Sequence, residues 1–192
     1  MLIIAMVYGF DRRCFAASAG VMSGVITALL FGRIFTSSFR IHGAVMPMSE
    51  SLLYCGYGNL NLTRIFTASI FIGSSGAMMD LAVDITSAMH EITLKKPGIS
   101  AKELIRSGMN IGRAAMGTIS TTLLLAYTGS CVAMLMVFTA QGTPLVNILN
   151  YKYVAAEIVH TVAGSIGLTA VAPLTAILGG TVLCCGRKKS AE

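Results

Sequence analysis

Apolar residues run through this chain in blocks too long for the core of a small soluble domain. A helix crossing a hydrocarbon core of about 30 Å needs about 20 apolar residues, and four blocks reach that length. Residues 15–38 form the first, interrupted by Arg33 toward its far end. The second covers residues 65–89. The third, AMGTISTTLLLAYTGSCVAMLMVF over residues 115–138, carries no charge at all, and the fourth, residues 161–185, contains Pro173. A proline persists in a membrane helix where neighbouring helices or Ser and Thr hydroxyls satisfy the carbonyl it frees. The pattern predicts an all-α, polytopic transmembrane helix bundle, with residues 1–192 forming a single membrane domain.

Two segments fall outside these spans. MLIIAMVYGF at the N-terminus is apolar but about half a span long. No basic residue precedes it, which makes a poor signal peptide. We favour a half-span, the end of a helix that begins upstream, over a short re-entrant or interfacial piece. Between the second and third spans, Pro97-Gly98 breaks the helical pattern and Ser100-x-x-Glu103 has capping-box spacing. In that motif the hydroxyl and the carboxylate each satisfy one of the other's free backbone donors. A short helix is predicted over about residues 101–112, lying at the cytoplasmic interface and feeding into the third span.

Composition supports the same reading. Of the 192 residues 55% are hydrophobic and only 11% charged, against roughly 25% in soluble domains. The mean hydropathy is +0.76. Glycine is abundant, at 20, and tryptophan absent, as suits helices that pack closely in lipid. The net charge of +6 does not indicate nucleic acid, because the basic residues cluster between apolar runs. Arg12 and Arg13 precede the first span; Lys95, Lys96, Lys102, Arg106 and Arg113 separate the second from the third; Arg187, Lys188 and Lys189 follow the fourth. These are ten of the 14 Lys and Arg residues. With an even number of spans they all fall on one side, so the positive-inside rule places the N- and C-terminal flanks in the cytoplasm. The five cysteines show no C-x-x-C spacing, so neither a disulfide framework nor a zinc site is expected. Asn61-Leu62-Thr63 is a glycosylation-type triplet that matters only in a secretory-pathway protein, and we discount it.

Candidate chemistry is sparse. Asp80, Asp84, Ser87 and Glu91 stand at i, i+4, i+7 and i+11, which places them on one helical face. A lipid-facing charge costs several kcal/mol on insertion scales, roughly 2.5–3.5 at a helix centre, so the stripe should turn inward or lie at the interface. Asp80 is expected in the inner third of its span and Asp84 near the cytoplasmic boundary. One reading makes Asp80 and Asp84 a cation or proton site. The other pairs Asp80 with Arg113, which opens the third span at about the same depth, to hold two helices together; we favour the second. Glu157-x-x-His160 has the i, i+3 spacing of di-iron bundles, but that site needs a second copy on another helix and the chain has none. GRAAMGT, from Gly112 to Thr118, lacks the lysine of a phosphate loop. Small-residue spacings at Gly20/Gly24, Gly73/Gly76, Gly108/Gly112 and Gly164/Gly167 point to close helix packing, and the hydroxyls of Thr118, Ser120, Thr121 and Thr122 can bond across helices or to their own carbonyls. No cofactor, metal site or catalytic grouping is expected.

The segments GSSGAMMDLAVDITSAMHEI, SGMNIGRAAMGTISTTLLLAYTGS and EIVHTVAGSIGLTAVAPLTAIL, in that order, resemble the YibE/F-like family of bacterial multi-pass membrane proteins, and YGFDRRCFAASAG is similar to the family's region just upstream. The resemblance implies an integral membrane protein with further spans before this region, and carries no biochemical activity. Two departures remove polar groups: Gly112-Arg113-Ala114 stands where the family tends to have G-R-D, and Thr121 where it tends to have Asn. The expected function is that of a transporter or permease-like component rather than an enzyme. The alternative is a non-transporting membrane subunit or scaffold that packs with itself or with a paired homologue.

Overall fold

The computed structural model describes residues 12–38, 51, 54–56 and 60–188. The N-terminal half-span and most of the long loop between the first two spans lie outside the described residues. Among the described residues five helices are bounded, in order: α1 (Arg12–Ser38), α2 (Leu62–Lys95), α3 (Ala101–Ala140), the single-turn α4 (Leu145–Leu149) and α5 (Lys152–Lys188). Among the described residues there is no strand. The four long helices are each long and apolar enough to cross a membrane.

The helix ends follow from local chemistry. Asn61 caps α2 by accepting the Arg64 N–H at 3.1 Å, so the glycosylation-type triplet is the start of a helix. Gly98, at φ +107°, turns the chain between α2 and α3 in a conformation that favours glycine. Ser100 then caps α3, accepting the Glu103 N–H at 3.3 Å. The other half of the predicted box is replaced, because the Glu103 carboxylate binds Lys96 Nζ at 2.8 Å and ties the turn to the helix it starts. The predicted interfacial helix over 101–112 and the third span form one unbroken helix. Its first turns bury Leu104, Gly108 and Gly112, and this packing holds them in line with the rest of α3.

Helix α5 is the centre of the bundle and packs against α1, α2 and α3. One core cluster joins Val21, Val25 and Ala28 of α1 to Met78, Leu81 and Ile85 of α2 and to Leu168 and Val171 of α5. A smaller one, Phe66, Ile70, Ala156 and Ala163, lies toward the start of α2 and α5. Gly108 sits on Met89 and Gly112 on Ile85, so α2 and α3 are antiparallel. Gly20 and Gly24 meet Thr175 and Val171, so α1 and α5 are antiparallel too. Arg13 Nη2 binds His90 Nε2 at 2.5 Å, joining the start of α1 to the end of α2. The α1 start, the α2–α3 turn and the α5 end, which the basic clusters flank in sequence, therefore share one end of the bundle.

Coverage is uneven. Of the most apolar 18-residue window of α3 only 11% is buried, against 44% for α5. At 40 residues, α3 is about 60 Å long at 1.5 Å per residue. Past Leu123 it exposes Leu124, Leu125, Met136 and Val137.

Candidate functional site

The acidic stripe expected from the sequence is present, but it faces outward. Asp80, Asp84 and Glu91 are exposed, and Ser87 is half-buried. The buried arc of α2 runs through Met78, Leu81, Ala82, Ile85, Thr86 and Met89, on the other side of the helix. Arg113 is exposed as well. Among the described residues the ion pairs are Glu91–Lys95 at 3.3 Å, Glu103–Lys96 at 2.8 Å and Glu157–His160 at 3.6 Å; none joins Asp80 to Arg113. The expected pair within the chain is thus not formed, and its geometry shows why. Ile85 faces Gly112 across the α2–α3 contact. Asp84 precedes the one and Arg113 follows the other, and each step is about 100° around a helix. In antiparallel helices those two steps turn in the same rotational sense, which sends the side chains to opposite sides of the helix pair. Asp80, one turn from Asp84, stays on the side of Asp84.

The polar chemistry inside the bundle lies elsewhere. Near the start of α5, His160 is 8% exposed and is held between two rings. The Tyr127 ring meets it edge to face with centroids 4.8 Å apart, and the Phe66 ring lies at 6.3 Å. One helical turn before it, half-buried Glu157 places Oε1 3.6 Å from His160 Nδ1. That is ion-pair range and longer than a hydrogen bond. His160 Nε2 and Tyr127 Oη are both buried with no hydrogen-bond partner among the described residues. A Cβ at Gly73 would lie 2.9 Å from Tyr127 Oη and 3.4 Å from His160 Nε2. The two unpaired atoms therefore address one patch of bare helix backbone. Gly164 and Ser74 close the same region: a Cβ at Gly164 would stand 3.3 Å from Ser74 Cβ and 3.6 Å from Tyr127 Oη. The Ser74 hydroxyl itself donates to the Ile70 carbonyl at 2.7 Å.

The glycines named from sequence divide by role. At Gly167 a Cβ would come within 2.5 Å of both Ala28 Cβ and Met78 Cε; at Gly108, within 2.6 Å of Met89 Sδ; at Gly112, within 3.0 Å of Ile85 Cδ1. These are close helix contacts, as the spacing suggested. Gly73 and Gly164 line the His160 cluster instead. Gly76 meets nothing within 4 Å, so the packing role expected of it is absent among the described residues. Thr121 and Thr122 donate to their own helix, to Gly117 and Thr118 carbonyls at 2.8 and 3.0 Å.

Sequence spacing had marked Glu157 and His160 only as half of a metal motif. Tyr127 carried no signal, since its meeting with His160 depends on how α3 crosses α5. Taken together, four long apolar helices, basic ends gathered at one end and a small polar cluster in the interior define a polytopic helical membrane protein. The chain belongs to the YibE/F-like protein family, whose sequence model matches residues 1–184. It matches no curated protein and no solved structure.

Proposed function

We propose that this chain is a permease-like component of a bacterial inner membrane, its flanks cytoplasmic, that handles protons or a small cation at His160 and Tyr127. The observation that supports this is that two buried polar atoms, His160 Nε2 and Tyr127 Oη, stand over the same glycine with no hydrogen-bond partner among the described residues. Leaving such a group unpaired costs about 1–3 kcal/mol, and ionisable residues inside membranes are by default candidates for transport and proton relay. Neutral His160 offers Nε2 as a proton acceptor. Glu157 beside Nδ1 offsets the charge that forms on protonation, and the Tyr127 hydroxyl, close over the Gly73 backbone, can donate or accept a proton in turn. The reading assigns no catalysis to the chain.

The test is charge movement. Purified protein in liposomes on a solid-supported membrane, given a pH jump, should show a transient current that His160→Phe abolishes while keeping the ring packing. A wild-type protein without a current, or a variant with the same one, would remove the site from the mechanism. A second reading, a non-transporting subunit that packs with a partner, is favoured by the bare outer half of α3. It predicts no current from either protein.

A further inference from the structure

Among the exposed charges of the α2–α3 hairpin, two stripes lie on opposite sides of the helix pair. On α2, exposed Asp84 and Glu91 are seven residues apart, as are exposed Arg106 and Arg113 on α3. Seven residues is two turns, so each pair shares a face. Their depths match. Because Ile85 lies beside Gly112 and Met89 beside Gly108, Asp84 is level with Arg113 and Glu91 with Arg106 along the antiparallel pair. Asp80 extends the acidic stripe by one turn toward the bundle middle. Among the described residues, Glu91 reaches only its own-helix neighbour Lys95.

We propose that a second copy of this chain covers these stripes, the acidic face of one protomer meeting the basic face of the next, head to tail, around an axis along the membrane normal. Rotation about that axis leaves depth unchanged, so the level match of Asp84 with Arg113 and of Glu91 with Arg106 carries over between copies. An isologous two-fold dimer does not fit. It would put its axis midway between Asp84 and Arg113 of one protomer, and that point lies inside the α2–α3 pair. Heterologous contacts generate closed rings when the rotation closes, so the assembly has three or more protomers. Opposite charges on matching faces also select this partner over like-charged surfaces. The proposal goes beyond the transport reading and stands or falls separately from it.

Charge exchange tests it. Mass measurement of the detergent-purified full chain should give an oligomer of at least three copies of the 20.1 kDa protomer. Arg113→Asp combined with Arg106→Glu should shift the protein to the protomer mass, and so should Asp84→Arg combined with Glu91→Arg. Combining all four in one chain should restore the oligomer. Because the two stripes face opposite sides of the hairpin, rescue has to come from contacts between copies. Assembly in native membranes is read separately, in a cysteine-free background carrying Asp84→Cys and Arg113→Cys. A short bismaleimide should produce a ladder of dimer, trimer and higher species. A protomer-sized wild type, a ladder that stops at dimer, or a fourfold variant no better than its halves would each overturn the proposal.

Discussion

Tyr127 and His160 meet edge to face, ring centroids 4.8 Å apart, and each keeps a buried polar atom that no described residue binds. Aromatic pairs in this geometry stabilise by about 0.5–1.5 kcal/mol beyond area burial, whereas an unpaired buried hydroxyl costs about 1–3 kcal/mol. The two contributions can be separated. Tyr127→Phe keeps the ring and removes the hydroxyl, so thermal unfolding in detergent should stay where it is or rise, while the pH-jump current falls. Tyr127→Ala removes both from a half-buried ring and should cost clearly more than Tyr127→Phe, up to about 3 kcal/mol, the lower end for core aromatic truncations. A Tyr127→Phe protein that unfolds earlier and keeps its current would make the hydroxyl structural.

The glycines should respond in an order set by space. Gly167→Val places atoms where Ala28 and Met78 already stand. It should cost at least the 1–3 kcal/mol typical of overpacking, seen as a lower unfolding temperature and poorer yield. Gly76→Ala meets nothing within 4 Å and should be neutral or stabilising, by up to about 1 kcal/mol, through helix propensity. Equal effects at the two positions would contradict the packing described.

What was legible in the sequence follows the range of the forces involved. Four helices long and apolar enough to span a membrane, the breaker at Pro97-Gly98 and the Ser100 cap are local or periodic features, and the structure has each of them. The close contacts at Gly108 and Gly112 were readable because small-xxx-small spacing constrains one helix face, and that at Gly167 from its i, i+3 spacing to Gly164. The side to which a helix turns was not readable. Asp80 lies one turn away from the level of Arg113, and the rotation set by the Ile85–Gly112 contact sends the two to opposite sides of the helix pair. Arg13–His90 and Tyr127–His160 join residues far apart in sequence and depend on crossing geometry that no periodicity encodes.

The α2–α3 turn supplies a local test. Ser100 accepts the Glu103 N–H, and the Glu103 carboxylate takes Lys96. Ser100→Ala should cost about 1 kcal/mol, the usual loss for an N-cap. Lys96→Met breaks an exposed pair and should cost less than about 1 kcal/mol. Chemical denaturation of the two variants side by side gives the ranking, and a larger loss from Lys96→Met would show that the pair, not the cap, holds the turn.

Topology can be read with the same helices as rulers. The basic residues gather at the end of the bundle that holds the α1 start, the α2–α3 turn and the α5 end, and α4 lies at the other end between α3 and α5. Basic loops are retained in the cytoplasm, so a cysteine at Ile99 and one at Leu145 should lie on opposite sides of the membrane. In a cysteine-free background, an impermeant maleimide applied to intact cells should label Leu145→Cys, which is 73% exposed. It should label Ile99→Cys only after the cells are opened. The control is Lys152→Cys, one residue into α5 on the same side as Leu145, which should label from outside. Labelling of Ile99→Cys in intact cells with Leu145→Cys protected would invert the bundle, and the His160 cluster would then lie in its cytoplasmic half.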